Sequence, residues 1–463
     1  MMRSMYSAVS GLRVHQGKMD TIGNNIANVN TVGFKRGQVT FQEVFSQVVG
    51  GASAPQGGKG GTNPQQIGMG VTTGSINTIH TQGPGQRTDN ATDLMIEGEG
   101  FFVITSDPNL NNKYYTRAGN FTLDAAGNLV TANGDKVLGY GVDNEGNVTS
   151  DITNIRINMS ETQAPTATKD VIFKGNLDSR AEEGDKELID TVIHDSLGNS
   201  YKVTFEFIKD NGNGWDYKVK RVTDLSNNNY VDADDHGGAL AGVTLAGTGV
   251  GKLTFNNNGK LTTAITDDIT FKISDTIEFT HNKEGKVIVD DPGSATPTPT
   301  PVPKTSGTFE TIVLFDPENE ETTKNITQYA NEMNLKPYPQ NGNVSGTLEG
   351  FTIDSKGIVL GIFSNDEKKV LGQLMLAKFD NPMGLQKLGG NNFIDTRNSG
   401  QPQLGKASTG GLGAIRSGNL EMSNVDISLE FTEMITTQRG FQANSRIITT
   451  SDEMLQELVN MKR

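Results

Sequence analysis

The chain of 463 residues contains no cysteine. That excludes a disulfide framework, a cysteine-ligated zinc or iron–sulfur centre and a thiol nucleophile. It leaves the compartment open, although no thiol can be trapped if the chain is exported unfolded. Aromatic residues are scarce at 6% and hydrophobic residues make up only 34%; no run of eighteen apolar residues occurs, so no membrane-spanning helix is expected. Stretches rich in Lys and Arg are missing too. With 54 acidic against 40 basic side chains, a formal charge of -14, the chain offers phosphate no basic face, which argues against nucleic acid and anionic membrane as partners. At the start, Arg13, His15, Gln16, Lys18 and Asp20 interrupt any apolar segment, so a cleaved secretory signal is not expected.

Chemical motifs are absent in the same way. The five histidines (His15, His80, His194, His236, His281) are scattered, with no pair spaced for a metal. Asp232-Ala-Asp-Asp-His236 lacks the glycine and distal glutamate of a calcium loop and reads as an acidic surface turn. Gly247-Thr-Gly-Val-Gly-Lys252 has Ala246 where a phosphate loop needs glycine and Leu253 where it needs Ser or Thr. Gly98-Glu-Gly100 and Gly68-Met-Gly70 lack the third glycine of a dinucleotide site. No catalytic residue, cofactor or metal is expected; an enzyme would need carboxylates brought together from distant segments, which a sequence does not reveal.

What is present is periodicity at both ends. Met5, Leu12, Met19 and Ile26 recur every seven residues, beside an incomplete column of Met2 and Val9. Leu420, Ile427, Met434, Phe441, Ile448 and Leu455 form a second seven-residue series, with Phe431 and Val459 in a column otherwise filled by Gln438, Ser445 and Asp452. This period predicts helices over 3–28 and 425–461 that pack along other long helices. One good column beside polar positions suits crowded packing among several helices. Such a helix is marginal alone, so the ends are expected to be loose in the monomer and ordered on assembly. The ordinary alternative is that both helices pack on the protein's own core.

Between the ends, glycine is abundant at 55 residues and the tetrad Asp-x-x-Gly occurs at 124–127, 143–146, 195–198 and 354–357. Asp first and Gly fourth suit a type I turn closing a hairpin. Tyr201-Lys-Val-Thr-Phe-Glu-Phe207 alternates strictly, and Asn256-Asn-Asn-Gly-Lys260 is a further turn. Most of 90–380 is therefore predicted to be antiparallel sheet. Residues 50–66 read as an extended or mobile surface segment, and the Thr-Pro repeats of 292–303 as an exposed loop or spacer.

Several motifs resemble those of the bacterial flagellar axial proteins of rod, hook and hook–filament junction. They are Asn24-Asn-Ile-Ala-Asn28 running on through Val-Asn-Thr-Val-Gly-Phe-Lys35, His80-Thr-Gln-Gly83, Thr88-Asp-Asn-Ala-Thr-Asp93, Gly98-Glu-Gly-Phe-Phe-Val-Ile104 and Tyr115-Thr-Arg-Ala-Gly-Asn-Phe121. Ser423-Asn-Val-Asp426 and Gln438-Arg-Gly-Phe-Gln-Ala-Asn444 are similar to the C-terminal counterpart. About 200 residues inserted between the core halves, with Asn176-Leu-Asp-Ser179, Asn381-Pro-Met-Gly-Leu385 and Gly411-Leu-Gly-Ala-Ile415, point to the hook members.

The resemblance implies a mainly β fold with paired, coiled-coil-like N- and C-terminal α-helices. Its expected domains are a helical tube-forming domain (1–30 and 418–463), a linker (31–71), a β-rich core (72–145 and 346–417) and an inserted outer β domain (146–345, with loop 292–303). It implies a structural subunit that polymerises into the curved, hollow hook, the universal joint passing motor torque to the filament. A distal rod subunit and a secreted β-rich binding module are the alternatives. Implied partners are further copies of the chain, the distal rod protein, the hook cap, the hook–filament junction protein and the flagellar type III export apparatus, with no nucleic acid and no membrane insertion. The implied location is extracellular, in the hook and basal body, without a cleaved signal. Candidate subunit-interface residues are Met5, Val9, Leu12, Met19 and Ile26; Asn24, Asn25 and Asn28; Leu420, Ile427, Phe431, Met434, Phe441, Ile448, Leu455 and Val459. The three asparagines have two readings: a fraying helix end, or hydrogen bonding between helices of the tube wall.

Overall fold

The computed structural model describes residues 2–55, 60–143, 146–232, 243–245, 251–262, 269–273, 276–279, 302–305, 312–315, 326–338 and 341–461. His236, His281, most of the acidic turn at 232–236, the glycine loop at 247–250 and the Thr-Pro repeats up to 301 lie outside the described residues. Two helices close the chain, α1 (Met2–Ala27) and α2 (Ile427–Asn460), and nearly everything described between them is strand and turn. The fold is mainly β with paired terminal helices, as the sequence predicts. Among the described residues no helix is long and apolar enough to cross a membrane.

Local chemistry sets the helix ends. Asp426 caps α2, its carboxylate accepting from Ser428 N (2.9 Å) and Leu429 N (3.2 Å), which satisfies two of the backbone donors a helix start leaves free. At the end of α1, Asn28 Nδ2 donates to Asn24 O and Asn28 Oδ1 accepts from Thr31 Oγ1, so the amide serves the turn that stops the helix. The helix expected over 425–461 forms, and Leu420, first of the sevenfold apolar series, lies outside it: it falls in the strand Asn419–Glu421, seven residues before α2 begins, so the series outruns the helix by one member.

The Asp-x-x-Gly turns form as read. The glycine N–H donates to the aspartate carbonyl at 124–127 (3.0 Å), 143–146 (3.2 Å), 195–198 (3.1 Å) and 354–357 (2.8 Å), each glycine taking positive φ. Asp124, Asp143 and Asp195 add a side-chain oxygen that accepts the N–H four residues on. The Asn256 turn closes likewise, Gly259 N to Asn256 O at 2.9 Å.

The chain divides into two compact units. The first holds Met1–Met159, Glu349–Ile362 and Lys368–Arg463. In it the strand Lys368–Lys378 pairs antiparallel with Lys136–Val142 and Phe101–Thr105, so segments from both sides of the long middle region share one sheet. Ala414–Ser417 pairs with Leu94–Glu97, and Asn419–Glu421 with Gly85–Arg87. Phe101, Val103, Tyr115, Leu138, Met375, Phe379 and Phe393 form a core beneath these strands. Residues 50–55 and 60–66 are extended, and in part paired: Gln65–Gly68 lies antiparallel to Ser46–Gly50, with a bridge between Ser53 and Thr62.

The second unit holds Ser160–Leu348 and Phe363–Glu367. Its main sheet runs Lys186–His194, Ser200–Lys209, Gly214–Asp224, all antiparallel. Tyr201, Val203, Phe205, Phe207, Trp215 and Tyr217 bury one face. The strand read as alternating is buried on both faces over Val203, Thr204, Phe205, Glu206 and Phe207: on the polar face the ammonium groups of Lys186, Lys218 and Lys220 converge on the Glu206 carboxylate, and Thr204 Oγ1 donates to Asp190 Oδ1 at 2.7 Å. One pairing departs from the antiparallel expectation: Ile172–Asp178 runs parallel to Ile326–Tyr329.

Candidate assembly interface

The helices α1 and α2 lie against each other and run antiparallel. Asn25 meets Glu430, Lys18 meets Glu433 (3.1 Å), His15 meets Gly440 and Gly11 meets Asn444. A Cβ on Gly11 would sit 2.7 Å from the Asn444 amide, and one on Gly440 would sit 2.8 Å from the His15 ring. The seam therefore closes through small and polar residues. On α2 its fully buried members are Glu430, Thr437 and Ser451; on α1 they are Ala8, Gly11, Val14, Ile22 and Asn25.

This seam is not the apolar stripe read from the sequence. Met5, Leu12, Met19 and Ile26, like Met434, Phe441, Ile448 and Leu455, flank it half-buried. Val9 (39% exposed), Ile427, Phe431 (49%) and Val459 (69%) face outward, as do Leu429, Ile435 (53%), Ile447, Met454 and Leu458, which the sequence reading did not single out. A second apolar surface lies on the paired strands after α1, where Phe41, Val44, Phe45, Val48, Val49, Ile67 and Ile76 are exposed. Phe41 reaches back to α1, edge-on to His15 at 5.6 Å.

The three asparagines separate by role. Asn25 is buried and makes its interhelix bond within one chain: Nδ2 donates to Glu430 Oε1 (3.2 Å) and to Gly37 O (2.9 Å), and Oδ1 accepts from Gly37 N (2.9 Å). Asn28 stops the helix, and Asn24 is exposed.

Where the helices join the β core, three charges are buried together. Lys35 Nζ lies 2.5 Å from Glu421 Oε1 and donates to Thr81 O at 2.7 Å. Arg117 reaches Glu421 Oε2 at 3.3 Å and Gly98 O at 2.9 Å, and Gly83 N donates to Glu421 Oε1 at 3.0 Å. Burial pushes the Lys35 ammonium below its usual range, and Glu421 beside it counters the shift. Gly33 N donates to Glu421 O, and Asn424 completes the junction, accepting from Arg36 N and donating to Ile79 O. These bonds tie the segment after α1, the first core strands and the segment before α2 into one joint. His80 sits beside it, edge-on to Phe101 and tilted against Phe393. Burial, with the charges of Lys35, Arg117 and Lys387, pushes its pKa down to about 3.

Nothing in this arrangement resembles a reaction centre. Among the described residues no three acidic or histidine side chains are grouped to hold a metal ion. The sequence reading missed the ion cluster, because Lys35, Arg117 and Glu421 are far apart in the chain. The signal available was that Lys35 and Arg117 each sit inside a motif already singled out.

Four family models match the chain. They are Flagella basal body rod protein (residues 5–35), Flagellar hook protein FlgE/F/G D1 domain (95–164), Flagellar basal body protein FlaE D2 domain (158–343) and Flagellar basal body rod FlgEFG protein C-terminal (416–461). The chain is 40% identical to flagellar hook protein FlgE of Borreliella burgdorferi and 35% identical to that of Treponema pallidum, each aligned over the whole of both chains. It is 30% identical to flagellar basal-body rod protein FlgG of Bacillus subtilis, again over the whole of both.

Proposed function

The chain belongs to the flagellar rod and hook protein family, and from that premise we propose how its surfaces serve a subunit of the hook. The role is structural and not enzymatic. The observation that carries the reading is the outward apolar face of the helix pair. Phe431, Ile435, Val459 and Val9 lie away from a seam already closed by Gly11, Asn444, Gly440 and Thr437. Each large apolar side chain buried between copies contributes roughly 1.5–3 kcal/mol, so repeating this face around a tube supplies the assembly energy that one chain alone lacks. The exposed strands carrying Phe41, Phe45 and Val48 extend the same surface.

In this account α1 and α2 line the tube wall, the first unit's sheet forms the shell and the second unit faces outward. The buried Lys35–Glu421–Arg117 cluster holds helix pair and shell as one body, which suits a part loaded in twist. Contacts between outward units are polar and exchangeable, exposed ion pairs contributing about 0–1 kcal/mol each, so the tube bends while it transmits torque. At its ends the tube meets the distal rod protein, the cap and the junction protein, and the chain reaches its place through the type III export apparatus.

Gold-tagged antibody raised against residues 146–345, located on intact flagella by electron microscopy, tests the reading. Gold on the short curved segment between envelope and filament supports it. Gold confined to the envelope-spanning rod, or absent from flagella, overturns it.

A further inference from the structure

An asparagine loses its amide when the backbone nitrogen of the next residue reaches its side-chain carbonyl carbon, and a following glycine permits that approach because it has no Cβ. The chain has five Asn-Gly pairs, at 133–134, 211–212, 213–214, 258–259 and 341–342. Four are held away from this geometry. Gly134 N donates to Thr131 O and Gly259 N to Asn256 O, each at 2.9 Å, so both nitrogens are engaged in turns. The Asn341 amide is tied at both ends: Oδ1 accepts from Lys169 N and Asp170 N at 2.9 Å, and Nδ2 donates to Asp170 Oδ2 at 2.6 Å. Gly214 is buried in the strand Gly214–Asp224 opposite Thr254, and Asn213 O accepts from Phe255 N at 2.8 Å.

Asn211–Gly212 has none of these restraints. It forms the exposed tip of the loop joining Ser200–Lys209 to Gly214–Asp224, closed at its base by Asp210 N donating to Gly214 O at 3.1 Å. Among the described residues neither the Asn211 side-chain amide nor Gly212 N makes a hydrogen bond, and a Cβ on Gly212 would meet nothing within 4 Å. We propose that Asn211 is a modification site, converted to aspartate and isoaspartate by its own backbone while the other four pairs persist. Gly212 N gives up its proton to hydroxide and bonds to Asn211 Cγ. The Cγ–Nδ2 bond breaks, and Nδ2 leaves as ammonia with a proton drawn from water. Water then opens the succinimide: cleavage between Cγ and Gly212 N gives aspartate, and cleavage between the Asn211 backbone carbon and Gly212 N gives isoaspartate. Either product sets a new carboxylate beside Asp210, whose partner Lys252 also lies 4.0 Å from Asp216. The hairpin tip of the second unit thereby gains negative charge with age, and isoaspartate lengthens its tight loop by one backbone atom.

The test incubates the full chain at pH 8, samples it over weeks and follows each pair by mass spectrometry after digestion, with fragmentation separating Asn211 from Asn213. Residue 211 should gain one dalton at least tenfold faster than 133, 213, 258 and 341, as a mixture rich in isoaspartate. In urea, where no fold protects any pair, the five rates should converge to within a few-fold. Comparable rates in the folded chain, a faster rate at any of the other four, aspartate as the sole product at 211, or a tenfold spread that survives urea overturns the proposal.

Discussion

The Lys35 ammonium lies 2.5 Å from the Glu421 carboxylate with both side chains wholly buried, joining the segment that leaves the first helix to the strand that leads into the second. Arg117 shares the same carboxylate, so one anion balances two cations inside the first unit. Replacing Glu421 by Gln leaves both cations buried without their counter-charge, which costs about 3–5 kcal/mol. The single tryptophan, Trp215, lies in the second unit and separates local from global effects. In urea, the variant should lose most of its circular dichroism early while the Trp215 emission midpoint stays put. Coincident shifts of both signals would count against a joint confined to the first unit.

His80 gives the joint a pH dependence. Its folded pKa, about 3, lies below the unfolded value of about 6.5, so between these values the unfolded chain binds a proton that the native one refuses. Stability contributed by neutral His80 is complete above about pH 6.5 and falls by up to about 1.4 kcal/mol per unit as pH drops towards 3. Replacing His80 by Phe keeps a ring against Phe101 and Phe393 and removes the titration. Denaturation series at pH 7 and pH 4.5 should show a smaller acid loss for the variant; equal losses would refute the assignment.

The helix seam depends on close approach at Gly440. A leucine there must displace the His15 ring, and overpacking of this kind costs about 1–3 kcal/mol. Gly23, where a Cβ meets nothing within 4 Å, supplies the control: Gly23→Ala should keep or raise helix content. Circular dichroism at 222 nm should fall for Gly440→Leu and hold for Gly23→Ala.

Removing residues 160–345 takes out most of the second unit and leaves the strand Gly346–Ile353 whole. The shortened chain should still polymerise, since the outward helix faces are untouched, but into straighter tubes. Normal curvature in electron micrographs would remove the second unit from the bending mechanism.

Local features were legible in the sequence and long-range ones were not. The Asp-x-x-Gly turns and the Asp426 cap are decided within five residues, where aspartate oxygen and glycine φ leave little choice. The helices themselves were legible, but not which side meets which. A search for apolar period finds Met434, Phe441 and Ile448, whereas the buried column is Glu430, Thr437, Asn444 and Ser451, polar at the same spacing and half-buried only at Asn444. Small and polar residues let two helices approach closely, and hydropathy does not mark them. The parallel pairing of Ile172–Asp178 with Ile326–Tyr329 was hidden likewise, because its partners lie about 150 residues apart.

The outward faces of α1 and α2 are proposed as the subunit contacts. Because the chain has no cysteine, each introduced thiol is a unique probe. Single substitutions Val9→Cys, Ile435→Cys and Val459→Cys, with exposed Asn211→Cys as reference, would be timed against a maleimide in monomer and in polymer. The three helix thiols should react freely in the monomer and at least tenfold more slowly in the polymer, while the reference is unchanged. Helix thiols that react equally fast in both states would show that these faces stay open in the polymer and are not subunit contacts.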